Sequence, residues 1–144
     1  MDHYPPINWL AVLVAGIVIF VLGGLWYSPV LFAKPWIALQ GRTEEQMRAD
    51  AAAANMPLMY ASVFICGLIT ALVMAMILSH VGDRMELNAP HGAIVGFSCW
   101  LGFAATTSYG TSLFSMKPRR LWLIDSMYNL VSFVLAGIIL AVWR

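Results

Sequence analysis

Apolar residues run in four long blocks along the chain, at about residues 7–28, 57–80, 90–113 and 121–143, and polar residues are confined to the stretches between them. A helix needs roughly 20 mostly apolar residues to cross a bilayer, and each block reaches that length with no charge deep in its middle. The pattern predicts an all-α membrane protein, a single domain over residues 1–144 folded as a bundle of four transmembrane helices.

The loop 29–56 between the first two spans carries structure of its own. Pro29 lacks a backbone donor and restrains Ser28 before it, so the first helix should stop or bend there. Beyond it Phe32, Trp36 and Leu39 recur at helical spacing, with Lys34 and Gln40 available to water. That spacing predicts a short amphipathic helix in the membrane interface, ended by Gly41. Thr43 followed by Gln46 fits a capping box, and Glu44 with Arg48 is a favourable i,i+4 pair. A short soluble helix is therefore expected through Ala54, ended by Asn55 and Pro57, with a weak apolar face (Met47, Ala51, Ala54) to rest on the bundle or meet a partner.

In the third span Gly92, Gly96, Cys99, Thr106 and Gly110 form one stripe of small residues, interrupted by Phe103. Small residues let helices approach closely in lipid, so this face is expected to be a helix–helix contact, in the same chain or another.

Composition sharpens the class. The chain is 61% hydrophobic and 10% charged, where soluble domains are about half and a quarter. The net charge is +1, and no basic cluster exceeds Lys117, Arg119 and Arg120. Nucleic acid is thereby excluded as a partner, and the lipid bilayer is the expected one. Cys66 and Cys99 sit well inside separate spans, fit neither a redox pair nor a zinc spacing, and read as buried small side chains. The N-terminus lacks the positive region of a secretory signal, and the first apolar run is too long for one, so it is expected to remain as the first span.

Charge also sets an orientation. Alternating spans put Lys34, Arg42, Arg48, Lys117, Arg119 and Arg120 on one side and only Arg84 and Arg144 on the other. The positive-inside rule places the six in the cytoplasm, which gives a multi-pass protein of the cytoplasmic (inner) membrane with both termini outside. Trp26, Tyr27, Trp36, Tyr60, Tyr109, Trp122 and Tyr128 fall near the cytoplasmic boundary and Trp9 and Trp143 near the outer one, where amphipathic rings are favoured. Trp100 alone lies well inside a span and reads as packing.

The two halves echo each other. Tyr27-x3-Leu31-Phe32-x-Lys34-Pro35 parallels Tyr109-x3-Leu113-Phe114-x2-Lys117-Pro118, a tryptophan follows each (Trp36, Trp122), and the next spans open with Met59-Tyr60 and Met127-Tyr128. This suggests a parallel duplication of a two-helix unit, although two exits on one side of a membrane can also match through shared interfacial chemistry.

Chemistry-bearing residues are few. Asp125 lies about one turn into the fourth span with Asn129, Ser132 and Ala136 on the same face. A carboxylate at the centre of a span costs roughly 2.5–3.5 kcal/mol, so Asp125 should face protein or water, most simply paired with Lys117, Arg119 or Arg120. Asp125, Asn129 and Ser132 form the candidate polar or ion site. His80, Asp83, Glu86 and His91 can bind metals but share no ligand spacing, so neither a metal site nor a cofactor is expected. No nucleophile–base set or phosphate-binding glycine loop is present, and an enzyme is not expected.

Several segments together resemble a family of small bacterial four-span membrane proteins known only as a domain of unknown function. They are Ile7-Asn8-Trp9-Leu10-Ala11-Val12, then Leu22-Gly23-Gly24-Leu25-Trp26-Tyr27-Ser28-Pro29 with Leu31-Phe32 and Lys34-Pro35-Trp36, then Gly102-Phe103-Ala104-Ala105-Thr106-Thr107, and Leu123-Ile124-Asp125-Ser126-Met127-Tyr128 running to Gly137 and Trp143. Ala33 stands where that family more often has glycine. The resemblance implies fold and location and brings no activity. The leading expectation for function is a homo-oligomeric bundle that binds or passes a small solute or ion. The alternatives are an accessory subunit of a larger membrane complex and, third, an intramembrane enzyme acting on a lipid-like substrate.

Overall fold

Most helices of the computed structural model, which describes residues 6–143, begin where a side chain can take up their free N–H groups. Asn8 accepts from Leu10 and Ala11, Asn55 from Leu58, and Asn88 from His91. Thr43 and Gln46 form the reciprocal capping box, each side chain satisfying a backbone donor that the first turn leaves orphaned. The resulting elements are α1 (Trp9–Trp26), α2 (Ala33–Leu39), α3 (Glu44–Ala53), α4 (Met56–Gly82), α5 (Ala89–Cys99), a π-helical segment (Trp100–Ala105), α6 (Thr106–Phe114) and α7 (Arg119–Val142). No strand occurs among the described residues. α1, α4 and α7 are long and apolar enough to cross a membrane, which marks a membrane protein.

Asn55 and Pro57 work in the opposite sense to the sequence expectation. α3 already ends at Ala53, and the pair starts α4, the asparagine as cap and the proline in the first turn, where its missing N–H costs nothing. Gly41 adopts φ +70, the left-handed conformation that closes α2. α3 buries no residue. It is laced by an ion pair between Glu44 and Arg48 at 3.9 Å and by a tighter one between Arg42 and Asp50 at 2.7 Å.

The helices pair as two antiparallel hairpins, α1 with α4 and the α5–α6 run with α7, and α1 lies against α7 between them. Gly16 meets Leu68 and Gly67 meets Ile19 across the first pair. The second pair is closer. A Cβ at Gly92 would collide with the Gly137 carbonyl and Ala141, and one at Gly96 with the Phe133 carbonyl. The small-residue stripe therefore packs against α7 of the same chain, with Gly92, Gly96 and Cys99 buried. Thr106 is exposed, and Gly110 has open space around it. The π segment accounts for the change. Its i→i+5 bonding places an extra residue in the turn and rotates everything beyond it, so Trp100, Ala105 and Ser108 turn inward instead.

Cys99 is buried as expected, but Cys66 lies on the exposed side of α4. α4 buries Gly67, Ala71, Met74 and Leu78, and the residue beside Gly67 in the chain points away from that stripe.

Candidate functional site

The turn after α1 folds the chain back on itself. The Ser28 carbonyl accepts from Leu31 and Ala33 N–H, and Phe32 N–H returns to the Trp26 carbonyl. This reversal brings α2 beneath α7, with the Trp26 and Phe32 rings 4.8 Å apart and Tyr27 and Trp36 edge to face at 5.2 Å. Three of these aromatics then spend their polar atoms on α7. Tyr27 Oη donates to Asp125 Oδ1 at 2.8 Å, Trp36 Nε1 donates to the same oxygen at 3.0 Å, and Trp26 Nε1 donates to the Ile124 carbonyl at 3.0 Å. Tyr128 completes the tie by donating to the Ile19 carbonyl at 3.2 Å.

Asp125 thus takes its hydrogen bonds from aromatic donors rather than from a cation. Among the described residues it forms no ion pair with Lys117, Arg119 or Arg120. Arg119 and Arg120 are exposed at the first turn of α7. Ser28 and Pro29 shape the turn, and Lys34 points to solvent. The rest of the interfacial motif is the clasp on Asp125.

Both donors reach Oδ1, which leaves Oδ2 for the space beside it. That space is a cleft of about 390 Å³ between α6 and α7, lined by Thr107, Ser108, Thr111, Ser112, Ser115 and Lys117 on one side and by Asp125, Ser126 and Asn129 on the other. A second cleft of about 340 Å³, bounded by Trp36, Gln40 and Lys117, meets it at Asp125. The opening has a packing cause. Glycines hold α5 and α7 in backbone contact at one end, while two indoles separate the helices at the other: Trp100 Nε1 donates to the Ser126 carbonyl at 2.9 Å and Trp122 Nε1 to Ser108 Oγ at 3.0 Å. A single copy of the chain therefore carries a cleft.

Of the expected polar site, Asp125 and Asn129 line the cleft together, and Ser132 is buried outside it. The sequence reading missed Ser126, which is 2% exposed and whose hydroxyl has no hydrogen-bond partner among the described residues. It also missed the hydroxyl wall of α6, although Thr107, Ser108, Thr111, Ser112 and Ser115 follow i, i+1, i+4, i+5, i+8 and so share a helical face.

The fold and this clasp define an α-helical membrane protein with a polar cleft at one end of its bundle. Residues 10–141 match the family described as "Protein of unknown function (DUF1761)", and the chain belongs to that family. Neither a curated protein nor a solved structure matches it.

Proposed function

We propose that this protein binds a small solute or ion in the cleft between α6 and α7 as the first step of moving it across a membrane. The observation that carries this reading is Ser126. A buried hydroxyl without a partner costs about 1–3 kcal/mol, and this one belongs to a serine that lines a polar cleft beside Asp125, whose two hydrogen bonds among the described residues both go to Oδ1 and leave Oδ2 open. A bound solute would satisfy both atoms.

In this reading the chain crosses the membrane four times, with the run 89–114 as the third crossing, and works as a homo-oligomer. The six cations of loops 29–56 and 114–120 support a cleft on the cytoplasmic side of a bacterial inner membrane, with both termini outside. Against those six, the opposite side has Arg84 and Arg144, the latter outside the described residues. Reconstitution into liposomes with a panel of ion and solute gradients is the test. Flux above that of empty liposomes, lost in Asp125→Asn, is expected; no flux under any gradient would remove the transport reading.

An accessory subunit of a larger membrane complex is the second reading, and α3 favours it. A charged helix with no buried residue is poised to meet another protein. Purification in mild detergent separates the two: a homo-oligomer supports the first, and stoichiometric foreign subunits support the second.

A further inference from the structure

Three of the hydroxyl groups around the cleft are not free to act both ways. Thr107 donates its proton to the Phe103 carbonyl, Thr111 donates to the Thr107 carbonyl at 3.1 Å, and Ser108 donates to the Ala105 carbonyl at 3.2 Å. Ser and Thr in helices commonly bond back to the preceding turn in this way. A hydroxyl whose proton is committed offers only lone pairs to whatever lies in front of it. Ser108 spends one of those on Trp122, so Thr107 and Thr111 are left as pure acceptors facing the cleft. The opposite wall adds Asp125 Oδ2, the carbonyl of Asn129 and the unpartnered Ser126 oxygen. The donors facing them are the Asn129 amide, the hydroxyl protons of Ser112, Ser115 and Ser126, and the exposed Lys117 ammonium.

We propose that the cleft between α6 and α7 is a binding site for a monovalent inorganic cation, coordinated by the Asp125 carboxylate, the Ser126 hydroxyl and the lone pairs of Thr107 and Thr111. This deepens the solute-binding reading above and rests on it. The carboxylate selects a cation over an anion, because an anion would face its negative charge across the cleft. One carboxylate selects a single positive charge. All-oxygen divalent sites gather six to eight ligands, several of them carboxylates, and no group of three His, Cys, Asp or Glu side chains occurs among the described residues. Tyr27 and Trp36 hold Oδ1 and so aim Oδ2 at the bound ion. Lys117 borders the same cleft, and its ammonium is a tethered competitor for the carboxylate.

The experiment is thermal unfolding of the full chain in detergent, titrated with sodium, potassium, methylammonium or choline chloride at constant ionic strength. A ligand that binds only the folded state raises the midpoint saturably. Sodium or potassium should do so and choline should not. Asp125→Asn exchanges a charged ligand for a neutral one and should raise the half-saturating concentration about tenfold or more. Ser126→Ala and Thr111→Val, which leave the aromatic clasp intact, should each raise it severalfold, so the test survives if Asp125→Asn does not fold. Lys117→Gln should lower it, and an unchanged value there would count against the site. Equal midpoints in all four chlorides would overturn the cation proposal, as would a response to methylammonium alone. If liposomes then still showed flux of a neutral solute that depends on Asp125, the cleft would remain a solute site and only its cation chemistry would be wrong. If they showed none, both readings would fall.

Discussion

Asp125 is a carboxylate within an apolar helix, and two aromatic donors on one of its oxygens are what make that placement tolerable. Hydrogen bonds to a charged group contribute about 1.5–3 kcal/mol, more than neutral ones. Tyr27→Phe should therefore lower unfolding stability in detergent by about 1–3 kcal/mol. In an Asp125→Asn background the same change should cost distinctly less, because the strong acceptor is already gone. Arg119→Gln and Arg120→Gln, which form no ion pair with Asp125 among the described residues, should add to Asp125→Asn without coupling. A coupling of either arginine to Asp125, with none from Tyr27, would reverse this assignment. Denaturation of the single and double variants decides it. That Asp125 needs a partner was legible in the sequence, since an acidic side chain in an apolar helix must be satisfied. The partner was not: Tyr27 lies 98 positions away. Interfacial tyrosine and tryptophan are also explained well enough by lipid to hide a second job.

Helices were most readable where their signals are local. The capping box at Thr43 and Gln46, the stop at Gly41 and the bend after Ser28 all depend on neighbours within a turn, and all three occur. The π segment has no such local signature, so a 3.6-residue stripe extrapolated past Cys99 landed on Thr106 and Gly110, one register away from the inward face. The echo between the halves has a structural counterpart: Tyr27 meets Trp36 at 5.2 Å and Tyr109 meets Trp122 at 4.8 Å, both at 61°. The close helix pair makes its own prediction. Gly92→Ala drives a methyl into the Gly137 carbonyl and should destabilise the chain by about 1–3 kcal/mol. Gly24→Ala, whose Cβ enters open space in α1, should instead stabilise it by about 0.5–1 kcal/mol through helix propensity. Thermal midpoints of the two variants, measured side by side, check both signs.

At the scale of the whole molecule, the run 89–114 decides the topology. α1, α4 and α7 are each long and apolar enough to cross, whereas this run is divided among α5, the π segment and α6. At about 1.5 Å per residue it still exceeds the ~30 Å hydrocarbon core. The antiparallel pairing of the α5–α6 run with α7, from Gly92–Gly137 at one end to Ser108–Trp122 at the other, keeps it beside a helix long and apolar enough to cross. Arg84 and Lys117 flank this run, so single cysteines there report on it directly. In a Cys66→Ala, Cys99→Ala background, Arg84→Cys should react with a membrane-impermeant maleimide from outside, and Lys117→Cys and Glu45→Cys only from the cytoplasm. Cys66 is exposed and should be replaced at little cost, while Cys99 is buried and its loss should lower stability slightly. If positions 84 and 117 label from one side, the run 89–114 does not cross and the four-span arrangement is wrong. If 45 and 84 share a side, α4 does not cross either. Opposite labelling of 84 and 117, with 45 matching 117, would fix the cleft between α6 and α7 at the cytoplasmic surface, where an ion could reach Asp125 without first entering lipid.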